Sequence, residues 1–144
     1  VMQLGVDTHF TDPITVGGLS TEGQEKIFKT ALEYIPKYCS NKLLALGGGG
    51  YDIGVVARSW SMYLAAMIGT DIRDPLPEEW LTELRHKWTD SPPPTPLRDR
   101  NYFIEERSIK DPYFIDELQA HMDNIVKFYD RELLPTLQSA MSSL

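Results

Sequence analysis

Apolar positions along the chain change their period several times, and each change marks an element. Residues 1–5 of "VMQLGVD" read as a short buried strand, and "TDPITVGG" after them is loop chemistry, with Pro13, Gly17 and Gly18 breaking any period. Ile27, Phe28, Ala31, Leu32 and Ile35 then recur at helical spacing. Ser20 or Thr21 can cap this helix, Thr21 and Gln24 have capping-box spacing, and Pro36 ends it or closely precedes its end. "KLLAL", Lys42 to Leu46, is a short apolar run between turn signals, which suits a strand covered on both faces. Gly47 to Gly50 end that strand, and Val55, Val56, Trp60, Tyr63, Leu64 and Met67 mark a second helix that stops at Gly69. The order strand, helix, strand, helix predicts an α/β fold with a parallel sheet and flanking helices.

Beyond Pro75 the pattern changes. "LPEEWLTELRHKW" reads as a short helix and "TDSPPPTPLRDRN" as an irregular proline-rich connection in which no core is expected. Phe114, Ile115, Leu118, Met122, Ile125, Val126 and Tyr129 form one apolar stripe before Pro135, which predicts a helical extension packed on the body. Two regions follow from this, 1–75 as the α/β part and 76–144 as the connection and helical tail.

Composition narrows the function. The 144 residues carry 14 Lys and Arg against 21 Asp and Glu, a net charge of -7 that argues against direct nucleic-acid binding. One cysteine, Cys39, cannot close an internal disulfide and has no neighbours at metal-ligand spacing. The apolar runs are far shorter than the roughly 18 residues that span a bilayer, and the amino terminus lacks a signal-peptide pattern, so a cytoplasmic protein with no membrane partner is expected. The opening "VMQLGVD" lacks an initiator methionine and is already apolar, as expected of a piece of a longer polypeptide.

The four glycines carry the chemistry question. A P-loop needs a GK[ST] ending where this chain has Gly50, Tyr51 and Asp52, and the sixth place of a dinucleotide fingerprint falls on Asp52 or Ile53. A serine hydrolase would want a GxSxG elbow, which does not occur. One reading is a tight strand-to-helix turn with Tyr51 as a packing residue. The other is a ligand site, favoured because four ordered glycines are entropically costly and the loop lies at the carboxyl end of a strand, where ligands sit in parallel sheets. Asp7 follows the first strand as Gly47 follows the second, so neighbouring strands would put Asp7 beside Tyr51. That pairing suggests a metal ligand next to an electrophilic donor, although a lone Asp after a strand is more often a turn or cap residue.

"QLGVDTHFTDP" followed by a helix, then "LLALGGGGYDIGVVARSW", resembles the carboxyl-terminal part of the zinc-dependent histone deacetylase superfamily, most like its bacterial acetoin-utilisation-type members. The motifs are Q-x-G-x-D at Gln3 to Asp7 and L-G-G-G-G-Y-x-x-x-x-x-A-R-x-W at Leu46 to Trp60. The likeness is strong over 1–75 and weak beyond. It implies part of an arginase/deacetylase-like sheet, with Asp7 as one of three protein ligands to a catalytic Zn2+. It also implies Tyr51 as the hydroxyl donor to the reacting carbonyl, and Gly48 and Gly49 as the lining of a narrow tunnel for an acetyl-lysine side chain. A phenol suits that role as an O–H donor at neutral pH, and bare backbone lets an aliphatic stem approach.

The same resemblance exposes gaps. A catalytic zinc site needs about three protein ligands plus water, and the family's Asp-x-His and His-His motifs lie upstream of this chain's first residue. The cofactor site is therefore expected to be incomplete here. His9 reads as a loop side chain, His86 and His121 as surface or partly packed, and Arg58 as a buried structural arginine bonded to carbonyls or a carboxylate. Where relatives that bind inositol phosphate place two arginines, this chain has Pro13 and Ile53, so no such partner is expected. The reading is a fragment of a zinc-dependent deacetylase, inactive without the missing amino-terminal part of its own domain. Its substrate would be acetyl-lysine or a small acetylated amine. The alternatives are a non-catalytic interaction module and an acetylpolyamine-type amidohydrolase.

Overall fold

The structure, a computed structural model, describes residues 1–15, 17–87, 96–99 and 113–142. The chain divides into two compact units, Val1–Phe103 and Ile104–Leu144.

In the first unit, β1 (Met2–Gln3) pairs in parallel with β2 (Ala45–Leu46), with Met2 opposite Ala45 and Gln3 opposite Leu46. Between them runs α1 (Thr21–Tyr38), and after β2 come α2 (Ile53–Met67) and α3 (Glu78–Lys87). The described unit is mostly helical around a small parallel pair, the α/β order that the sequence predicts. Leu4, Val6, Phe28, Val55 and Tyr63 form the core, flanked by Leu32, Leu43, Ala45, Val56 and Trp60. Burial pushes the Tyr63 phenol up to about 12, because the charged form loses its water.

Each helix begins where its sequence offers an acceptor. Ser20 caps α1, its Oγ accepting the Gly23 N–H at 3.1 Å, and Pro36 lies inside the last turn, just before the helix ends at Tyr38. Gln24 does not close a capping box. It is buried, its Nε2 donating to the Val6 carbonyl and to Thr8 Oγ1, both at 3.0 Å, while Oε1 accepts from Ser59 Oγ at 2.7 Å. One amide thereby joins the end of β1, α1 and α2, and the buried line of α1 runs through Thr21, Gln24, Glu25, Phe28 and Ile35, leaving Ile27 exposed. Asp52 caps α2 by accepting the Gly54 and Val55 N–H groups at 2.9 and 3.2 Å.

Two expectations about the first unit need correction. The strand expected to be covered on both faces is covered on one. Leu43 and Ala45 pack on the core, whereas Leu44 and Leu46, pointing the other way in the pleat, remain exposed. The connection expected to hold no core contributes Leu97, which is fully buried, and α3 ahead of it buries Leu81 and Leu84. The rest of the proline-rich connection lies outside the described residues.

In the second unit α4 (Phe114–Phe128) continues through a π-helical turn, Tyr129–Leu133, into α5 (Leu134–Ser142). Pro135 does not stop the helix. Proline lacks an N–H and its ring collides with the carbonyl four residues back, and the wider turn just before it, closed by Leu134 N–H to the Tyr129 carbonyl, relieves that conflict. The wider turn also holds Ile115, Leu118, Met122, Ile125, Tyr129, Leu133, Leu137 and Met141 within an arc of roughly 90°, against roughly 160° for an unbroken α-helix. Within this unit nothing among the described residues folds over the stripe, and Ile115, Leu118, Met122 and Ile125 are exposed. None of the helices is long and apolar enough to cross a membrane, among the described residues.

Candidate functional site

The edge built by the two strands follows from their hydrogen bonds. Met2 N–H donates to the Leu44 carbonyl and Leu4 N–H to that of Leu46, both at 2.9 Å, and Val6 N–H continues the series to the Gly49 carbonyl at 2.7 Å. Both chains leave the sheet side by side, so Asp7 emerges against the glycines. An added Cβ on Gly49 would lie 2.2 Å from Asp7 Oδ2, and one on Gly48 2.8 Å from the Gly5 Cα and 2.4 Å from Gln3 Nε2. Gly50 has φ +142°, a backbone conformation L side chains rarely adopt, and its Cβ would meet Val6 Cγ2. The bare backbone is thus required by the close approach of the β1 end as well as by the turn.

Asp7 is half-buried, and no hydrogen-bond or ion-pair partner faces its carboxylate among the described residues. Tyr51, two residues beyond Gly49, is exposed. Its backbone is fixed from below, because Tyr51 N–H donates to Asp12 Oδ2 at 3.0 Å while Asp12 Oδ1 accepts from Ile14 and Thr15 N–H at 3.0 Å each. Burial disfavours the Asp12 anion, but the N–H donors of Ile14, Thr15 and Tyr51 outweigh it and hold its pKa below the ordinary carboxylate value. Thr15 Oγ1 donates to the Asp7 carbonyl and Thr11 Oγ1 to Asp52 Oδ2, tying the two loops together.

His9 sits in the loop as expected but is fully buried. Its Nε2 lies 2.7 Å from Asp99 Oδ2, and its Nδ1 accepts the Thr11 N–H at 3.2 Å, so Nε2 carries the proton. Arg58 is the buried structural arginine that its position on an apolar helix predicts. Its Nε donates to the Gly54 carbonyl at 2.8 Å, and one terminal nitrogen donates to the Pro96 and Leu97 carbonyls and to Asp99 Oδ1 at 2.7 Å. Asp99 itself escaped sequence reasoning, because the segment around it has no apolar period. The available signal was indirect: a cation in mid-helix among apolar neighbours demands a buried carboxylate somewhere.

Pro13 and Ile53 are exposed and place no cation at their positions. No three His, Cys, Asp or Glu side chains converge on a point able to hold a metal, among the described residues. Asp7 fits a metal as one hard oxygen donor, and the described residues supply no closed set around it.

The histone deacetylase domain matches residues 1–67. Acetoin utilization protein AcuC from Bacillus subtilis (strain 168) is 34% identical over 110 residues, 68% of this chain and 28% of the relative. A probable deacetylase from Archaeoglobus fulgidus is 37% identical over 91 residues, 60% of this chain and 25% of the relative. Histone deacetylase 8 from Xenopus tropicalis is 28% identical over 128 residues, 88% of this chain and 32% of that protein. The chain therefore spans between a quarter and a third of the length of these relatives. No solved structure matches it. By its domain match and its relatives, the chain belongs to the histone deacetylase superfamily, in the company of acetoin utilization proteins.

Proposed function

We propose that this chain is the carboxyl-terminal part of a zinc-dependent deacetylase with an arginase/deacetylase-like fold. The enzyme would hydrolyse the acetyl amide of acetyl-lysine or of a small acetylated amine. The observation that carries the reading is the Asp7 carboxylate, half-buried, without a partner among the described residues, and packed on the Gly49 backbone two residues from Tyr51. Zinc, when bound, supplies a Lewis acid that polarises the amide carbonyl and acidifies a water molecule. Asp7 would contribute one ligand oxygen to it. The remaining ligands and the general base come from the amino-terminal part of the same domain, which makes this chain alone inactive. The exposed face of β2, with Leu44 and Leu46, is where that part would pack.

Tyr51 Oη donates a hydrogen bond to the carbonyl oxygen as it gains negative charge, a donor role worth about 3 to 4 kcal/mol in the transition state. Because that bond is stronger in the transition state than in the ground state, it acts on turnover rather than on binding. Gly48 and Gly49 leave the substrate stem room beside the loop. We place the enzyme in the cytoplasm, with no direct nucleic-acid, membrane or inositol phosphate partner. Tyr51→Phe in the full-length protein should lower kcat about 10²- to 10³-fold with zinc retained, and Asp7→Ala should lose the metal. Unchanged turnover in the first variant, or full metal content in the second, overturns the assignment.

A further inference from the structure

We propose that Asp99 is a positioning residue for the Asp7 and Tyr51 edge, acting through a hydrogen-bonded chain of His9, Thr11 and Asp52. The inference rests on the deacetylase reading for its kinetic consequence. Asp99 lies beyond the 67 residues that carry the family match, yet its carboxylate joins three elements. Oδ2 accepts from His9 Nε2 at 2.7 Å and from the Thr21 N–H at the start of α1 at 2.9 Å, while Oδ1 accepts from Arg58 in the middle of α2 at 2.7 Å. The Asp99 N–H returns to Thr21 Oγ1 at 3.1 Å, and that hydroxyl donates to the Leu97 carbonyl.

From His9 the chain runs outward. His9 N–H donates to the Val6 carbonyl at 3.1 Å, beside Asp7, and His9 Nδ1 accepts from Thr11. Thr11 Oγ1 donates to Asp52, whose other oxygen caps α2 and which directly follows Tyr51. His9 thus ties to the backbone before Asp7 through its own amide and, through its imidazole and Thr11, to the residue that follows Tyr51. Burial disfavours the Asp99 anion, but donors on His9, Arg58 and Thr21 overcome this and keep it well below the ordinary carboxylate range, so it acts as a permanent acceptor.

A neighbouring residue provides the contrast. Arg98 anchors the same segment, its Nε and a terminal nitrogen gripping Glu25 at 2.7 and 2.8 Å and reaching Asp71 and the Ile72 carbonyl. These bonds lead to α1 and to the loop after α2, and none leads to Asp7 or Tyr51. Losing either anchor should loosen the segment, but only the Asp99 anchor should disturb the edge.

The experiment compares Asp99→Asn, Arg98→Met and Thr11→Val in the full-length enzyme. Asp99→Asn should lower kcat about tenfold or more, as small misplacements of reacting groups do, with KM and zinc content nearly unchanged, and Asp99→Glu should restore part of the loss. Arg98→Met should lower the melting temperature and leave kcat alone. Thr11→Val, an exposed change that keeps the buried pair, should lower kcat a few-fold even if Asp99→Asn fails to fold. Amide exchange gives a readout independent of the reaction: Tyr51 to Val55 should exchange faster in Asp99→Asn and Thr11→Val than in wild type or Arg98→Met. An unchanged rate there in Thr11→Val, or equal acceleration by Arg98→Met, overturns the positioning role. A wild-type enzyme that hydrolyses no acetyl amide overturns the deacetylase reading instead, and the exchange comparison still decides the inference.

Discussion

α2 and α4 carry the same signal in sequence, an apolar stripe at helical period over 15 residues, and they end in opposite environments. In α2, Val55, Met62, Tyr63 and Ala65 are buried together with Arg58 and Ser59. Along α4 the corresponding side chains, from Ile115 to Val126, stay exposed. Period fixes the helix and says which face is apolar. It does not say what covers that face, which depends on contacts distant in sequence. The polar residues mark the difference better. Arg58 and Ser59 on α2 each have partners 35 or more residues away, whereas the described side-chain hydrogen bonds of the second unit join residues four apart.

The largest effect that separates the two helices should come from Arg58. Arg58→Met removes a buried cation and leaves Asp99 with His9 and Thr21 only. Breaking one partner of such a pair typically costs about 3–5 kcal/mol. Denaturant unfolding followed by tryptophan fluorescence reads this directly, since all three tryptophans, Trp60, Trp80 and Trp88, belong to the first unit. Met62→Ala, a cavity change at a fully buried site, should cost about 2–5 kcal/mol by the same measurement. A loss below about 1 kcal/mol in both variants would mean that α2 is no better anchored than α4.

Much of the first unit was legible because local chemistry and burial agree there. The helix start at Ser20, the parallel pairing of the strands, the structural role of Arg58 and the juxtaposition of the Asp7 and glycine loops all follow from residue type, period and element order. The failures have one cause. Gln24 looked like a cap but serves a carbonyl on β1, Ile27 lost its place in the core to Glu25, and Asp99 was hidden in a segment without period. Each depends on a polar partner 18 to 90 residues away. The passage of the helix through Pro135 was illegible for another reason, because a π turn is a remedy that no residue in its neighbourhood announces.

Acid should sharpen the comparison at intermediate size. The two hydrogen bonds from Arg98, with help from Lys29 and against some burial, hold the Glu25 carboxyl below its ordinary value. A depressed folded pKa contributes stability that is fully present above the unfolded value, about 4.3, and is lost as pH falls through the lower folded value. Asp99 shifts in the same direction. The melting temperature of the first unit should therefore fall below about pH 4, and Glu25→Gln should lower it at neutral pH while making that fall shallower. An equally steep acid limb in Glu25→Gln would assign the acid sensitivity elsewhere.

The smallest effect is expected from Met122→Ala, the counterpart of Met62→Ala on α4. Met122 is 48% exposed, so its truncation removes little buried surface, and alanine is the strongest helix former. The two contributions nearly cancel, and the change in stability should stay within about 0.5 kcal/mol, with helical circular dichroism unchanged. The measurement is diagnostic because the sign is set by burial. A side chain in water gives a value near zero, whereas one packed against a partner pays the cavity cost that Met62 should show. A loss above about 2 kcal/mol would mean that the stripe from Ile115 to Met141 is covered, and that α4 differs from α2 only in where its covering surface comes from.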